Sequence, residues 1–406
     1  MVAVARTLEN FAGIVGADHV REALPADSVG GVVPRMVVSP ADDSQVAAVL
    51  AAATADHLSV TPRGGGTKLD WGSPPRRCDI VLATSRIAGI VDHEPADMVC
   101  VVRAGTRLDD LQQTLATAAG FRQRLMLDPV HGSAATVGGV VATAASGPLR
   151  TRFGTPRDLV IGAGFVLADG TIGRSGGKVV KNVAGFDVAK LLVGSLGTLA
   201  VITEVAVRLH PLPEASRTVV LESSSIDELC SFAHGVARLQ VAPSVVDLHW
   251  PERLVVVRFD SSERSATLQA DRVIREAGGR VLEDGEAASL TSRLAGAPWA
   301  DLGAVGGLAV LPTRVAELLA SIAGVCDAVV MRPLLGTGEA RFAPDAEAAV
   351  RAAALRCGGR LALRRGRAGG EQDGEIDPVA LELMRSVKRQ LDPSGTLSPG
   401  RQAGGI

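Results

Sequence analysis

The stretch "TPRGGGTKLDWG", Thr61–Gly72, places three consecutive glycines behind the short apolar run "LSV", Leu58–Val60. Glycine loses more conformational freedom on folding than any other residue, so a tract of three points to something that must come close to bare backbone. A dinucleotide-binding turn, G-x-G-x-x-G, fails because position 69 is Leu and no helical pattern starts there. A phosphate-binding Walker loop at Gly177-Lys178 fails as well, since Ile172 stands where its first glycine belongs and Val179 where its hydroxyl belongs. No G-x-S-x-G elbow, H-E-x-x-H or zinc spacing occurs. What remains is a backbone nest, in which successive N–H groups point to one side and cup an anion. Arg63 and Lys68 flank the tract, and a second small-residue tract, "DPVHGSAATVGGVVATAASGP", follows at Asp128–Pro148.

Working outward, 406 residues exceed a single core and imply two or three domains. Lys plus Arg number 42 against 44 Asp plus Glu, which leaves no positive excess for a phosphate backbone and argues against a nucleic-acid partner. Five cysteines, Cys78, Cys100, Cys230, Cys326 and Cys357, show no C-x-x-C pair and read as small core residues in a reducing compartment. The opening "MVAVARTLENF" is too short in apolar residues for a signal peptide, and no run approaches a membrane span. The expectation is a cytoplasmic protein without direct membrane insertion, reaching the inner face of a membrane only through partners.

Along the chain, "MVV" (36–38) reads as a strand and "SQVAAVLAAATADH" as a helix with Val46, Val49, Leu50 and Ala53 on one face. "DIVLATS" and "VCVVRAG" add strands, and Thr106 is placed to cap the helix "RLDDLQQTLATAAG". The period-2 run 201–209 puts Val201, Thr203, Val205, Val207 and Leu209 on one face of a strand closed by Pro211 and Pro213. From 217 onward the order βαββαβ occurs twice, which predicts two pseudo-repeated α+β units sharing a largely antiparallel sheet. "GRAGGEQDGE" (366–375) reads as a surface loop before a last helix, 377–391.

Four segments in this order, "PRGGGTKL", "ATVGGVVAT", "GKVVKNVAGFDVAKLLVGSLGTLAVITEV" and "LDPSGTLSPGR", resemble the FAD-linked oxidase family typified by vanillyl-alcohol oxidase and p-cresol methylhydroxylase, and within it particularly the second flavin subunits of bacterial glycolate oxidases. The resemblance covers about residues 30–213 well, the last twenty fairly, and the middle domain in layout. It implies an α+β fold: an N-terminal segment (1–30), a two-subdomain FAD-binding domain (31–213), a cap with ferredoxin-like units (214–385) and a C-terminal return (386–406). By motif matching, Arg63, Gly64, Gly65, Gly66, Thr67 and Lys68 would cradle the pyrophosphate through backbone N–H groups. A side chain at Gly65 is expected to fall on the phosphate position and to resist a positive φ. Gly132, Ser133, Ala134, Thr136, Gly138, Gly139, Ala142 and Ser146 would line the adenine-to-flavin path, and Gly197, Val201 and Ile202 would bracket the cofactor from the last strand. Many relatives attach FAD through a histidine where this chain has Thr67, so non-covalent FAD is expected. The family commonly closes with Asn-Pro-Gly, whereas Ser398 precedes Pro399-Gly400 here, so a contact made by that Asn is expected to weaken.

Oxidation of a small hydroxy acid needs a hydride acceptor, a base for the hydroxyl proton and a cation for the carboxylate. Of seven histidines, His131 lies inside a flavin-contacting segment and is the candidate base, with His249 in the cap strand "DLHW" as the alternative. Arg332 and Arg341 are candidate carboxylate ligands. There is no tyrosine, and the H-x-G-D-G-N-x-H metal motif of related D-2-hydroxyacid dehydrogenases is missing. Three readings stay open: a subunit of a hydroxyacid oxidase or dehydrogenase complex with a second flavoprotein and an iron–sulfur subunit, a stand-alone FAD alcohol or sugar oxidoreductase, and a flavin-stabilised assembly subunit without turnover.

Overall fold

The computed structural model describes residues 2–118, 120–178, 185–300, 303–366 and 376–406; all but the first residue of the expected loop 366–375 and part of the "GKVVKNVAGF" segment lie outside these. Four strands, β1 (Val20–Glu22), β2 (Met36–Val38), β3 (Val60–Arg63) and β4 (Ile80–Ala83), form a first sheet in the order β1-β2-β4-β3. β2 and β3 run parallel to β4, joined through the helix Asp43–Ala55. The Asp42 carboxylate accepts the Gln45 N–H and caps that helix. Val46, Val49, Leu50 and Ala53 are all buried, packed with Met36, Ile80 and Leu82.

The second sheet is antiparallel and contains β5 (Ile90–Glu94), β6 (Val99–Arg103), β8 (Val160–Val166), β9 (Ile172–Gly176) and β10 (Val201–Arg208) in the order β5-β6-β10-β8-β9. β7 (Gln123–Arg124) pairs apart from it with β11 (His210–Pro211). The expected single apolar face of β10 is a simplification. Register shifts at Ile202/Glu204 and Ala206/Val207 break the alternation, so Val201 enters the first core while Val205 and Val207 enter the second. Thr106 is not the predicted cap either. Its hydroxyl accepts the Gly89 N–H (2.9 Å), and the helix Leu108–Thr117 begins after Arg107, with the Leu108 N–H donating to Ala135 O. The second small-residue tract is thereby tied to the start of that helix.

The cap is one eight-stranded antiparallel sheet. Its first unit holds β12 (Ala215–Glu222), β13 (Val245–Trp250), β14 (Leu254–Ser261) and β15 (Arg280–Val281), and its second β16 (Ala304–Ala309), β17 (Cys326–Arg332), β18 (Thr337–Phe342) and β19 (Arg360–Arg365). The order β15-β12-β14-β13-β17-β18-β16-β19 repeats the same arrangement outward from the β13–β17 seam, as the doubled βαββαβ pattern predicts. The helices Ile226–Arg238, Glu263–Ala277, Val315–Ile322 and Glu347–Arg356 bury one face of the sheet around Leu248, Val257, Met331 and Phe342. An extra helix, Asp284–Leu294, follows β15; with only Leu290 and Leu294 buried it offers little apolar periodicity to read.

After the cap, the helix Pro378–Leu391 leads the chain back. Val387 and Leu391 pack on the second core, and Lys388 Nζ donates to Thr198 O (2.6 Å) and Leu397 O (2.9 Å). Leu397 then lies parallel to β3: the Val60 N–H donates to Thr396 O and the Ser398 N–H to Val60 O. The first sheet is therefore extended by residues that follow the cap.

Candidate functional site

β3 runs directly into the glycine tract. A Cβ on Gly64 would stand 1.9 Å from Thr136 Oγ1, and one on Gly65 would stand 1.8 Å from the carbonyl oxygen of Ala134. Of the three, Gly66 alone has a positive φ, +74°, and it has room for a Cβ. What comes so close to the bare backbone of Gly64 and Gly65 is the second small-residue tract itself. This corrects the expectation for Gly65, whose added side chain would strike Ala134 and whose φ is not positive. The pressing of the two tracts shapes a cleft between them, open at one side.

The cleft wall includes Arg63, Gly64, Gly65, Gly66, Thr67 and Lys68 from the first tract, Thr136, Gly138, Gly139 and Ala142 from the second, and Gly197 and Ile202 from the last strand and its approach. Thr136 caps the helix Val137–Thr143 by accepting the Gly139 N–H. Gly132, Ser133 and Ala134 belong to the turn backing Gly65 and do not form this wall; His131 opens that turn, exposed, with φ +55°. Ser146 lies outside the wall, and Val201 is fully buried in the first core.

The wall is built for negative charge. The N–H groups of Gly65, Gly66 and Thr67 meet no acceptor among the described residues, and the charged residues of the wall, Arg63, Lys68 and Arg401, are all cations. Arg63 is committed elsewhere: its Nη1 donates to Asp27 Oδ1 (2.6 Å), and Asp27 also takes both Nη groups of Arg21 (2.7 Å each). Arg21, with Arg63 adding to it, holds the Asp27 carboxyl well below its usual range. Lys68 is 6% exposed and donates from Nζ to Val130 O (3.0 Å) and Thr67 Oγ1 (3.1 Å). Burial pushes its amine down to about 8, with Asp70 opposing.

Residues 34–176 match the FAD binding domain family, and residues 371–401 match the C-terminal domain of FAD-linked oxidases. The glycolate oxidase subunit GlcE of Escherichia coli is 30% identical over 358 residues, which are 86% of this chain and 94% of that protein. The chain belongs to the FAD-linked oxidase family. It is also 28% identical over 247 residues to the glycolate oxidase subunit GlcD of Bacillus subtilis, and that match spans 52% of GlcD, about half its length. The solved p-cresol methylhydroxylase with substrate bound superimposes with a TM-score of 0.75 at 15% identity, over 98% of this chain and 96% of that one, so the fold is shared. FAD is the cofactor, and the cleft fits it: the free amides suit its pyrophosphate, and glycine and alanine leave its path open.

In this FAD-linked oxidase the cap turns part of the sheet face opposite its four paired helices toward the flavin half. Val245 enters the second core, and Trp299 stacks on Trp71 with centroids 4.4 Å apart. The same face gathers charges that sequence reading left scattered. Arg332 Nη1 donates to Glu339 Oε2 (2.7 Å), and Asp247 Oδ1 lies 3.8 Å from Arg332 Nε. Arg332, Asp247, Glu339 and His249 are all buried. Burial pushes the Asp247 carboxyl up to about 6 against the pull of Arg332, and pushes His249 down to about 3. From the flavin half, Asp128 accepts the Leu149 N–H, and enclosure of its carboxyl end raises it to about 6. Arg332 is thus closed by Glu339, and Arg341 reaches Asp327 (3.8 Å) and Ala297 O. The missed residues had a signal: single charges alternating with apolar residues, as in "DLHW" and "GEARF", on strands needing both faces covered.

Proposed function

We propose that this chain is the FAD-carrying subunit of a complex that oxidises glycolate or another small 2-hydroxy acid, holding its FAD without a covalent bond. The observation that carries this reading is the one-sided build of the site: a cleft with free amides and a wholly cationic charged wall, set against a cap whose buried charges are largely paired with one another. FAD bound there supplies a two-electron acceptor for the hydride of a carbinol carbon. In this reading the division into residues 31–213, 214–385 and 386–406 is functional, and the backbone from Arg63 to Lys68 takes the pyrophosphate. The bed continues through Gly132–Ala134, Thr136, Gly138, Gly139, Ala142 and Ser146 to Gly197, Val201 and Ile202. The hydroxyl proton goes to His131, one residue from the Val130 carbonyl that Lys68 grips. His249, held neutral by burial, is the alternative base.

The likeness to GlcE over nearly its full length supports a second flavoprotein subunit as partner. The five cysteines are buried and free, and no metal-ligand cluster occurs among the described residues. An iron–sulfur relay, where one serves the complex, is carried by another chain. No described helix is long and apolar enough to cross a membrane.

Stopped-flow mixing of the FAD-loaded chain with glycolate, D-lactate and D-2-hydroxyglutarate tests the reading, with and without the partner subunits. Slow bleaching alone and faster bleaching with partners is expected. Rapid saturable bleaching by the isolated chain would identify a complete dehydrogenase, and none in either setting would remove the hydroxyacid reading. Where bleaching occurs, His131→Ala against His249→Ala assigns the base.

A further inference from the structure

Three cations gather around Trp71 at one end of the cleft, two of them over its indole and the third on its backbone. Lys68 Nζ lies 5.7 Å from the Trp71 ring centroid, and Arg364 of β19 lays its guanidinium over the same ring at 5.3 Å. Arg401 donates from Nη2 to the carbonyls of Leu69 and Trp71. It is nine-tenths buried and lines the cleft, and its Nε has no partner. Among the described residues no carboxylate hydrogen-bonds or ion-pairs with any of the three. The nearby Asp70 is half exposed and sits 4.0 Å from Arg365. Gly307 leaves the space that Arg364 fills, since a Cβ there would stand 3.0 Å from Arg364 Nε. Arg364 therefore lies on the face of the sheet opposite Leu361 and Leu363, where its charge acts on Glu339 and Arg150.

Enclosed cations with no carboxylate hydrogen-bonded to them are costly, and a guanidinium over an aromatic ring keeps its fork free for a planar anion. The glycine amides already offer the cofactor's pyrophosphate a seat, so this cluster is left for a different anion. We propose that Lys68, Arg364 and Arg401 form a carboxylate subsite for a small 2-hydroxy acid, with Arg364 as the residue that selects it. The stacked Trp71 and Trp299 bound the subsite and restrict it to short acids. This inference rests on the hydroxyacid reading above and replaces Arg332 and Arg341 as carboxylate ligands.

The test uses the FAD-loaded full chain and sodium oxalate, a planar carboxylate with no carbinol hydrogen. Binding is followed by calorimetry and by the change in flavin absorbance. Arg364→Met keeps an alkyl contact with Trp71 and removes the fork; it is expected to weaken oxalate at least tenfold with FAD content and melting temperature unchanged, and Arg364→Lys should recover part of the loss. The proposal is overturned if the wild type does not bind oxalate, if Arg364→Met binds it equally well, or if that variant loses FAD in parallel, which would assign the cluster to the cofactor. Inorganic phosphate binding as tightly as oxalate would overturn the carboxylate assignment. The two readings fail separately: oxalate binding without bleaching by any hydroxy acid supports the anion site and removes the substrate, whereas bleaching unaffected by Arg364→Met keeps the function and removes the site.

Discussion

The glycine cleft and the charged face of the cap meet at one site but are made from different materials. The cleft is a product of backbone: its shape comes from what Gly64, Gly65, Gly138 and Gly197 lack, and its polarity from N–H groups. The cap face is a product of side chains from different strands, Asp247 and His249 on β13, Arg332 on β17, Glu339 on β18 and Arg364 on β19, brought together by sheet order. A backbone site tolerates almost no added atom, whereas a side-chain site tolerates substitution and responds to pH.

The largest effect expected from that contrast is at Gly65. Gly65→Ala drives a methyl into the Ala134 carbonyl, so the tracts must separate; flavin absorbance per mole of purified protein should fall at least tenfold while circular dichroism still reports a folded chain. Gly66→Ala, with room but φ +74°, should cost only about 1 kcal/mol of stability and keep most of the FAD. Equal retention by both variants would mean that the close approach does not shape the site.

Next is the bond to the cofactor. Because Thr67 cannot form the link its histidine counterparts make, acid precipitation should leave a colourless pellet and a yellow supernatant. A yellow pellet would place the attachment elsewhere on the chain.

The cap side should show itself in pH. Asp247 is raised by burial above its value in the unfolded chain, so the folded state favours the protonated form. Its contribution is therefore full at low pH and is lost as pH rises from about 4 through about 6. Asp128 behaves alike, Arg332 and Arg258 oppose the shift of Asp247, and Glu339 reinforces it. Asp247→Asn should be nearly neutral at pH 4 and stabilising by on the order of 1–3 kcal/mol at pH 8 in denaturant titrations. A variant less stable than wild type at pH 8 would show that Asp247 is needed as the counter-ion of Arg332.

The smallest effect is at Ser398. It holds φ +41° with a fully buried hydroxyl that has no partner. Asn tolerates that conformation better and brings a longer hydrogen-bonding arm, so Ser398→Asn should gain about 0.5–1 kcal/mol. A loss of stability would show that the pocket is shaped to the serine.

The same contrast explains what the sequence made legible. The glycine tract can be read because it is a local constraint: Leu69 and Val179 exclude the rival motifs within a few residues, and Thr67 alone carries the expectation of a non-covalent cofactor. The doubled βαββαβ order of the cap was equally open, since Val, Leu and Phe recur with strand and helix periods. Its site was not. "DLHW" and "GEARF" announce buried charges but not their partners, which depend on β13 pairing with β17 across the seam between the two units. Arg364 was hidden in the arginine-rich run "GRLALRRGR", and its distinction from Arg365 arises only where Trp71 and Trp299 stack. Thr106 misled because its hydroxyl found the Gly89 backbone before the helix amides.

The return of the chain to β3 also has a meaning in time. The Thr54 and Thr396 hydroxyls lie 3.0 Å apart although 342 residues separate them in sequence, and the Val60 amide finds its acceptor at Thr396. A ribosome releases the first sheet long before it releases the residues that cover its β3 edge. Until then that edge is an open template, and closing it requires a very long loop, the slow kind of contact in folding. During synthesis the cap can condense from neighbouring segments while the cofactor half waits, so the part of the molecule made first is the part finished last.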